Sequence, residues 1–206
     1  MSAKTYLYLN KNCFKSQTIE VLLQFFNCKY EVVYFEDQNE ENKKKIIQQS
    51  LTGSVPLLQN EDFFLSGTPT IIKYFMNSNQ DVKNSLTKDD DHESNLLVEM
   101  WVNYVKDNIW IILEATNTGN EDIKNEAKKD LLNVLNNLNN YLTFKTFMVG
   151  SSITLADLYL CSSLRTAYDL ILDVEDIKKY NNVTRLLKLV SNLKQLKTVF
   201  GDLKLK

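Results

Sequence analysis

The chain has 206 residues, 24 basic and 26 acidic side chains, and a formal net charge of −2. It is 44% hydrophobic and 24% charged, the make-up of a globular protein with one substantial core or two small ones. It has no 18-residue apolar run to span a membrane, and its charge balance favours neither nucleic acid nor a lipid surface.

The opening MSAKTYLYLNKN is too polar and lysine-rich for a secretory leader. Thr5–Leu9 (TYLYL) reads as a strand. Phe14–Phe26 follows as a helix, with Ile19, Leu22, Leu23 and Phe26 at helical spacing. Tyr30–Phe35 (YEVVYF), β-branched and aromatic, is a second strand. Glu40–Ser50 is a helix with a lysine face. Pro56–Gln59 and Phe63–Leu65 are short strands around the turn Asn60-Glu61-Asp62. Thr68–Phe75 closes this half as a helix, with Thr68 as its cap and Pro69 at the first position. The order βαβαββα implies one parallel pair, one tight antiparallel link and a mixed four-stranded sheet. Met76–Lys88 is polar and unpatterned, a linker.

Strand signals fade after Asp89. Leu97, Trp101, Tyr104 and Val105 line one helical face. Leu131, Leu135, Leu138 and Leu142 line another, Leu155–Leu172 is strongly apolar, and Leu186 to Leu196 forms a last helix. This half is an all-helical bundle.

Gly150 precedes a helix start written with care. Thr154 can cap the first turn while Asp157 returns a bond to the Thr154 N–H, and Ile153 and Leu158 flank the box as a hydrophobic staple. The helix that follows is apolar on two faces, so its first turn cannot rely on water.

Other chemistry is sparse. Cys13, Cys28 and Cys161 are an odd, scattered set without a C-x-x-C pair, which points to a reducing, cytoplasmic setting. The single histidine, His92, sits in Asp89-Asp90-Asp91-His92-Glu93, an acidic helix start without calcium-loop spacing, and no metal is expected. From Lys178 to Lys206 there are eight Lys/Arg and one acid, Asp202, a solvated face or a contact for an acidic partner or RNA.

Gly53-Ser54-Val55-Pro56-Leu57-Leu58 at a strand start, the βαβαββα order and the T-x-x-D box together resemble the glutathione transferase superfamily. The resemblance implies a thioredoxin-like domain over residues 1–76, a linker over 77–90 and a helical domain over 91–206. It implies a cis Val55–Pro56 bond and a buried Thr154/Asp157 box starting the central helix of the second domain.

The superfamily's chemistry needs a hydroxyl or thiol at the first helix and a docking site for glutathione. Asn12 falls nearest the catalytic position of Cys-type relatives, with Cys13 one residue on and Ser16, Tyr6 and Tyr8 near. Docking would use the backbone of Val55 beside Pro56 and an acid or glutamine followed by serine at the third helix. Here that stretch reads Leu65-Ser66-Gly67-Thr68-Pro69, so Ser66 and Gly67 lack the carboxylate or amide and the hydroxyl, with Thr68 left to replace some contacts. A weakened or absent glutathione site follows, and no cofactor is required.

Leu142–Leu158 (LTFKTFMVGSSITLADL) and the tail Phe200–Lys206 resemble the gamma-subunit family of translation elongation factor one. That resemblance implies a non-catalytic domain joining the guanine-nucleotide-exchange subunits of elongation factor 1B, with a homodimer expected and no direct contact with nucleic acid. The alternative is an active glutathione transferase or glutathione-dependent thiol oxidoreductase using Cys13. A weaker option is the related domain of aminoacyl-tRNA synthetase assemblies.

Overall fold

The computed structural model describes residues 4–11, 13–28, 30–77, 79–88 and 90–201. The chain divides into two compact units, Met1–Val82 and Lys83–Lys206.

The first unit is built on a four-stranded sheet of order β2-β1-β3-β4. β1 (Thr5–Leu9) pairs parallel with β2 (Glu31–Tyr34), Leu7 opposite Val32, after a crossover through α1 (Phe14–Phe26). β3 (Leu57–Asn60) returns antiparallel to β1, Leu58 opposite Leu7, and β4 (Phe63–Ser66) closes a hairpin with it. Side chains alternate across the sheet. Leu7, Leu9 and Leu58 are fully buried, and α1 packs against α3 (Thr68–Met76). On the opposite face, Ile46 of α2 (Glu40–Gln49) packs with Val55 and Leu57, flanked by Tyr8, Phe35 and Phe64.

The 77–90 stretch is more structured than a linker. α4 (Gln80–Thr87) forms within it, started by Asn79 Oδ1 accepting from Val82 N at 3.2 Å, and its Leu86 is fully buried. One buried leucine in a polar segment leaves no periodic pattern to read.

The second unit is helical. α5 (His92–Tyr104) runs through a π-helical segment (Val105–Trp110) into α6 (Ile111–Ala115). α7 (Glu121–Tyr141), α8 (Leu155–Leu170), α9 (Val174–Lys179), α10 (Asn181–Ser191) and the short α11 (Lys197–Phe200) follow. The acidic start of α5 is a cap: Asp91 accepts from Ser94 N at 3.2 Å, while Asp89 lies outside the described residues. Leu131, Leu135, Leu138 and Leu142 are all buried. Of the expected α5 face Val105 is fully buried, but Leu97 is 43% exposed and Trp101 and Tyr104 are half-buried, while Val98, outside that face, is buried. The last expected helix stops at Ser191, although Leu196 beyond it is buried.

Gly150, at φ +66°, turns the chain into α8 in a conformation that glycine adopts without strain. Thr154 and Asp157 then close a capping box. Asp157 Oδ2 accepts from Thr154 N at 2.8 Å and from Thr154 Oγ1 at 2.7 Å. Asp157 Oδ1 accepts from Met148 N at 2.8 Å and so ties the preceding loop to the helix start. The carboxyl is fully buried; burial pushes it above its ordinary value, and the Met148 and Thr154 donors oppose that shift.

A second capping box starts α9, where Asp173 and Asp176 both pair with Lys128 of α7. The Asp176 N–H and then the Lys128 ammonium hold the exposed Asp173 carboxyl down to about 2, below its ordinary 3.8. A carboxyl lowered in the folded state stabilises above its unfolded value, and that contribution is lost as pH falls through the folded one. Acid titration of wild type against Asp173→Asn is expected to show an extra loss of wild-type stability between about pH 4 and pH 2. Parallel acid-unfolding curves would contradict it.

Candidate functional site

The chemistry expected of this sheet collects where β1 and β4 end and β3 begins, beside the starts of α1 and α3. Cys13 is the N-cap of α1, half-buried and free, with extended backbone (φ −108°, ψ 123°) and no capping hydrogen bond from its side chain. Asn12 lies outside the described residues. Ser16 is fully buried and committed: its Oγ accepts from Asn10 N at 3.1 Å, fixing the turn from β1 into α1. Tyr8 donates its hydroxyl to Gln59 Oε1 at 2.8 Å across the β1–β3 pair, and burial raises its pKa. The Tyr8 proton is thus already donated within the sheet, and the Ser16 oxygen already accepts within the turn.

Lys11 anchors the same turn from outside. Its N–H donates to Glu36 Oε1 at 3.0 Å and its ammonium pairs with Asp37 Oδ1 at 2.6 Å.

The Val55–Pro56 peptide is cis, and the Pro56 carbonyl accepts from Gly67 N at 3.4 Å. Ser66, expected at the ligand anchor, is bonded inward. Its Oγ accepts from Leu51 N at 3.0 Å and lies 3.2 Å from Ser50 Oγ. Ser50 Oγ in turn donates to the Ser54 carbonyl at 2.6 Å, and Thr52 and Ser54 hydroxyls meet at 3.1 Å. These hydroxyls, Ser50, Thr52, Ser54 and Ser66, brace the loop that delivers Pro56. The spacing of Ser50 and Ser54, four residues apart ahead of Val55-Pro56, is the one signal for this bracing in the sequence.

The helix start at α3 differs from the sequence expectation. Gly67 is the N-cap, at φ +91°, a conformation that a side chain would strain. Thr68 is therefore the first helical residue and not the cap. Its hydroxyl is buried and is the one buried side-chain oxygen or nitrogen without a hydrogen-bond partner among the described residues.

This arrangement fits glutathione only in part. The α3 N-terminus and the Thr68 hydroxyl offer donors to a carboxylate. The γ-glutamyl ammonium would lack the carboxylate or side-chain amide that the resemblance calls for, since residues 65–69 contain neither and Ser66 is engaged. Among the described residues, no group of three or more His, Cys, Asp or Glu side chains converges to hold a metal, and no helix is long and apolar enough to cross a membrane.

Residues 90–194 match the family model described as the glutathione S-transferase C-terminal domain. The chain is 27% identical over 207 residues to elongation factor 1-gamma of Artemia salina, covering 97% of this chain and 47% of that protein. It is 29% identical over 164 residues to elongation factor 1-gamma of Danio rerio, covering 74% of this chain and 35% of that one. The chain thus spans between about a third and a half of the length of these two relatives. Among solved structures, the GST-like domain of elongation factor 1-gamma from Saccharomyces cerevisiae superposes with a TM-score of 0.81 at 18% identity, over 100% of this chain and 96% of that one. A glutathione S-transferase from Xylella fastidiosa gives 0.79 at 14% identity, over 95% and 96%. The sheet unit and helical unit together have that fold.

Proposed function

The chain belongs to the glutathione S-transferase C-terminal domain family, and we propose that within it this chain acts in translation elongation as a non-catalytic assembly domain. In this reading it joins the guanine-nucleotide-exchange subunits of elongation factor 1B in the cytoplasm. The observation that carries the reading is the similarity to elongation factor 1-gamma along 97% of the chain. The candidate cleft supports it from the other side. Ser16, Tyr8 and Ser66 are spent on internal bonds, which suits a retained fold more than a working thiol site.

A second copy of the chain is a further proposed partner. Leu96, Leu97 and Met100 leave an apolar patch on α5, between 43% and 51% exposed. A role beside an aminoacyl-tRNA synthetase is the less supported assembly, since neither relative described above is a synthetase.

Co-expression with the exchange subunits, read by native mass spectrometry, tests the assembly and counts copies of the chain. A complex holding an exchange subunit is the expected result. Recovery of this chain without one would contradict it.

The competing enzyme reading is tested by titration. Glutathione is expected to bind no tighter than about 1 mM, because one end of it lacks an acceptor. Micromolar saturation, or conjugating activity abolished by Cys13→Ser, would favour the transferase instead.

A further inference from the structure

Phe144, in the turn after α7, is 98% exposed. The turn that carries it is pinned. Arg185 of α10 donates through Nη2 to the Leu142 carbonyl at 3.0 Å and also to the Lys145 carbonyl. The Lys145 ammonium sits 3.8 Å from the centroid of the Tyr141 ring. A large ring is therefore held in water on a braced turn, the kind of preorganised anchor that binding surfaces use.

Arg185 also joins that turn to α10. Leu189 is one helical turn further along α10, on the same face, and is 40% exposed. Lys188 is exposed next to it. Arg185 thus bridges the turn that carries Phe144 and the α10 face that carries Leu189.

The stretches of chain that carry them are basic. Residues 131–156 and 177–201 contain no acidic residue, yet besides Lys178 and Lys179 they hold Lys145, Arg185, Lys188, Lys194 and Lys197. Among the described residues, none of these five is in an ion pair. In a chain of net charge −2, this is a local basic pole.

We propose that the Phe144–Arg185–Leu189 surface docks an acidic amphipathic segment of a partner protein. Charge complementarity chooses the acid, and the two apolar anchors choose a segment that carries apolar side chains as well. A single-stranded nucleic acid fits less well, because it is gripped by several stacking rings along a basic track and here there is one ring and a leucine. The proposal rests on the assembly role given above and adds the surface and the chemistry of the partner.

The test is an NMR titration of the full chain with three probes. One is a synthetic peptide of about 16 residues, with leucines at helical spacing and glutamates between them. The second has glutamine for every glutamate, and the third is an oligouridylate of equal charge. The acidic peptide is expected to shift residues 144, 185, 188 and 189. Phe144→Ala and Lys188→Glu are each expected to weaken it by about tenfold or more. Both side chains are exposed, so neither change removes core packing. The proposal is overturned if the peptide does not bind, if the glutamine peptide or the oligouridylate binds this face as tightly, or if both variants bind like wild type. Capture of exchange subunits separates this idea from the assembly reading. Equal capture by wild type and the Phe144→Ala/Lys188→Glu double variant overturns the surface and leaves the assembly. No capture by wild type overturns the assembly, and the peptide titration then judges the surface by itself.

Discussion

Asp157→Ala is expected to cost the helical unit about 2–5 kcal/mol of unfolding free energy, because it leaves buried donors without their acceptor. Three donors lose their acceptor at once: Met148 N, Thr154 N and Thr154 Oγ1. Each buried donor left unpaired costs roughly 1–3 kcal/mol, and the costs overlap because the loop can shift. Water cannot substitute, because Thr154 and Asp157 are both fully buried. Urea unfolding followed by tryptophan fluorescence checks this. Thr154→Ala, which keeps the carboxylate and its bond to Met148, serves as the milder comparison at about 1–2 kcal/mol. A loss below about 1 kcal/mol for Asp157→Ala would mean the box is decorative.

Trp110→Ala is expected to cost a similar amount, about 3–5 kcal/mol, by a different route. The indole is 6% exposed and stacks on Tyr159, with ring centroids 5.7 Å apart and planes at 18°. Its Nε1 donates to Ser163 Oγ at 2.8 Å, and that hydroxyl donates to the Tyr159 carbonyl at 2.8 Å. Truncation opens a cavity between the helical run of residues 92–115 and α8. Trp110→Phe keeps most of the volume and loses only the hydrogen bond, so about 1 kcal/mol is expected there. Equal losses for both variants would show that the bond, not the packing, holds these helices.

These two side chains differ in how plainly the sequence announces them. The T-x-x-D box is local: cap, third position and apolar flanks lie within six residues, from Ile153 to Leu158, and can be read directly. Trp110 depends on the π-helical segment, which adds a residue per turn and moves the buried face. A constant helical period carried through 92–115 from Val105 therefore misses Trp110. The strands were legible because Leu7 and Leu9 alternate with Tyr6 and Tyr8, and α7 because its leucines repeat every three or four residues. Ser66 was legible as a position but not as a partner. Its bond to Leu51 N joins residues fifteen apart across a loop, and no spacing rule encodes that. The cap of α3 was misplaced by one residue because threonine is the commoner cap, while Gly67 here supplies a φ of +91° that only glycine adopts cheaply.

Both units thus retain the family's framework while the thiol-side hydroxyls serve the framework itself. Ser16 holds the β1–α1 turn, Ser66 braces the loop before Pro56, and Tyr8 ties β1 to β3. The Thr68 hydroxyl, buried and without a partner, is the exception in that region.

The most direct test of the account is native mass spectrometry of the chain co-expressed with elongation factor 1B exchange subunits, alongside a glutathione-conjugation assay on the same preparation. The account predicts a complex containing an exchange subunit and no conjugating activity sensitive to Cys13→Ser. Absence of any exchange subunit together with conjugation that Cys13→Ser abolishes would contradict it.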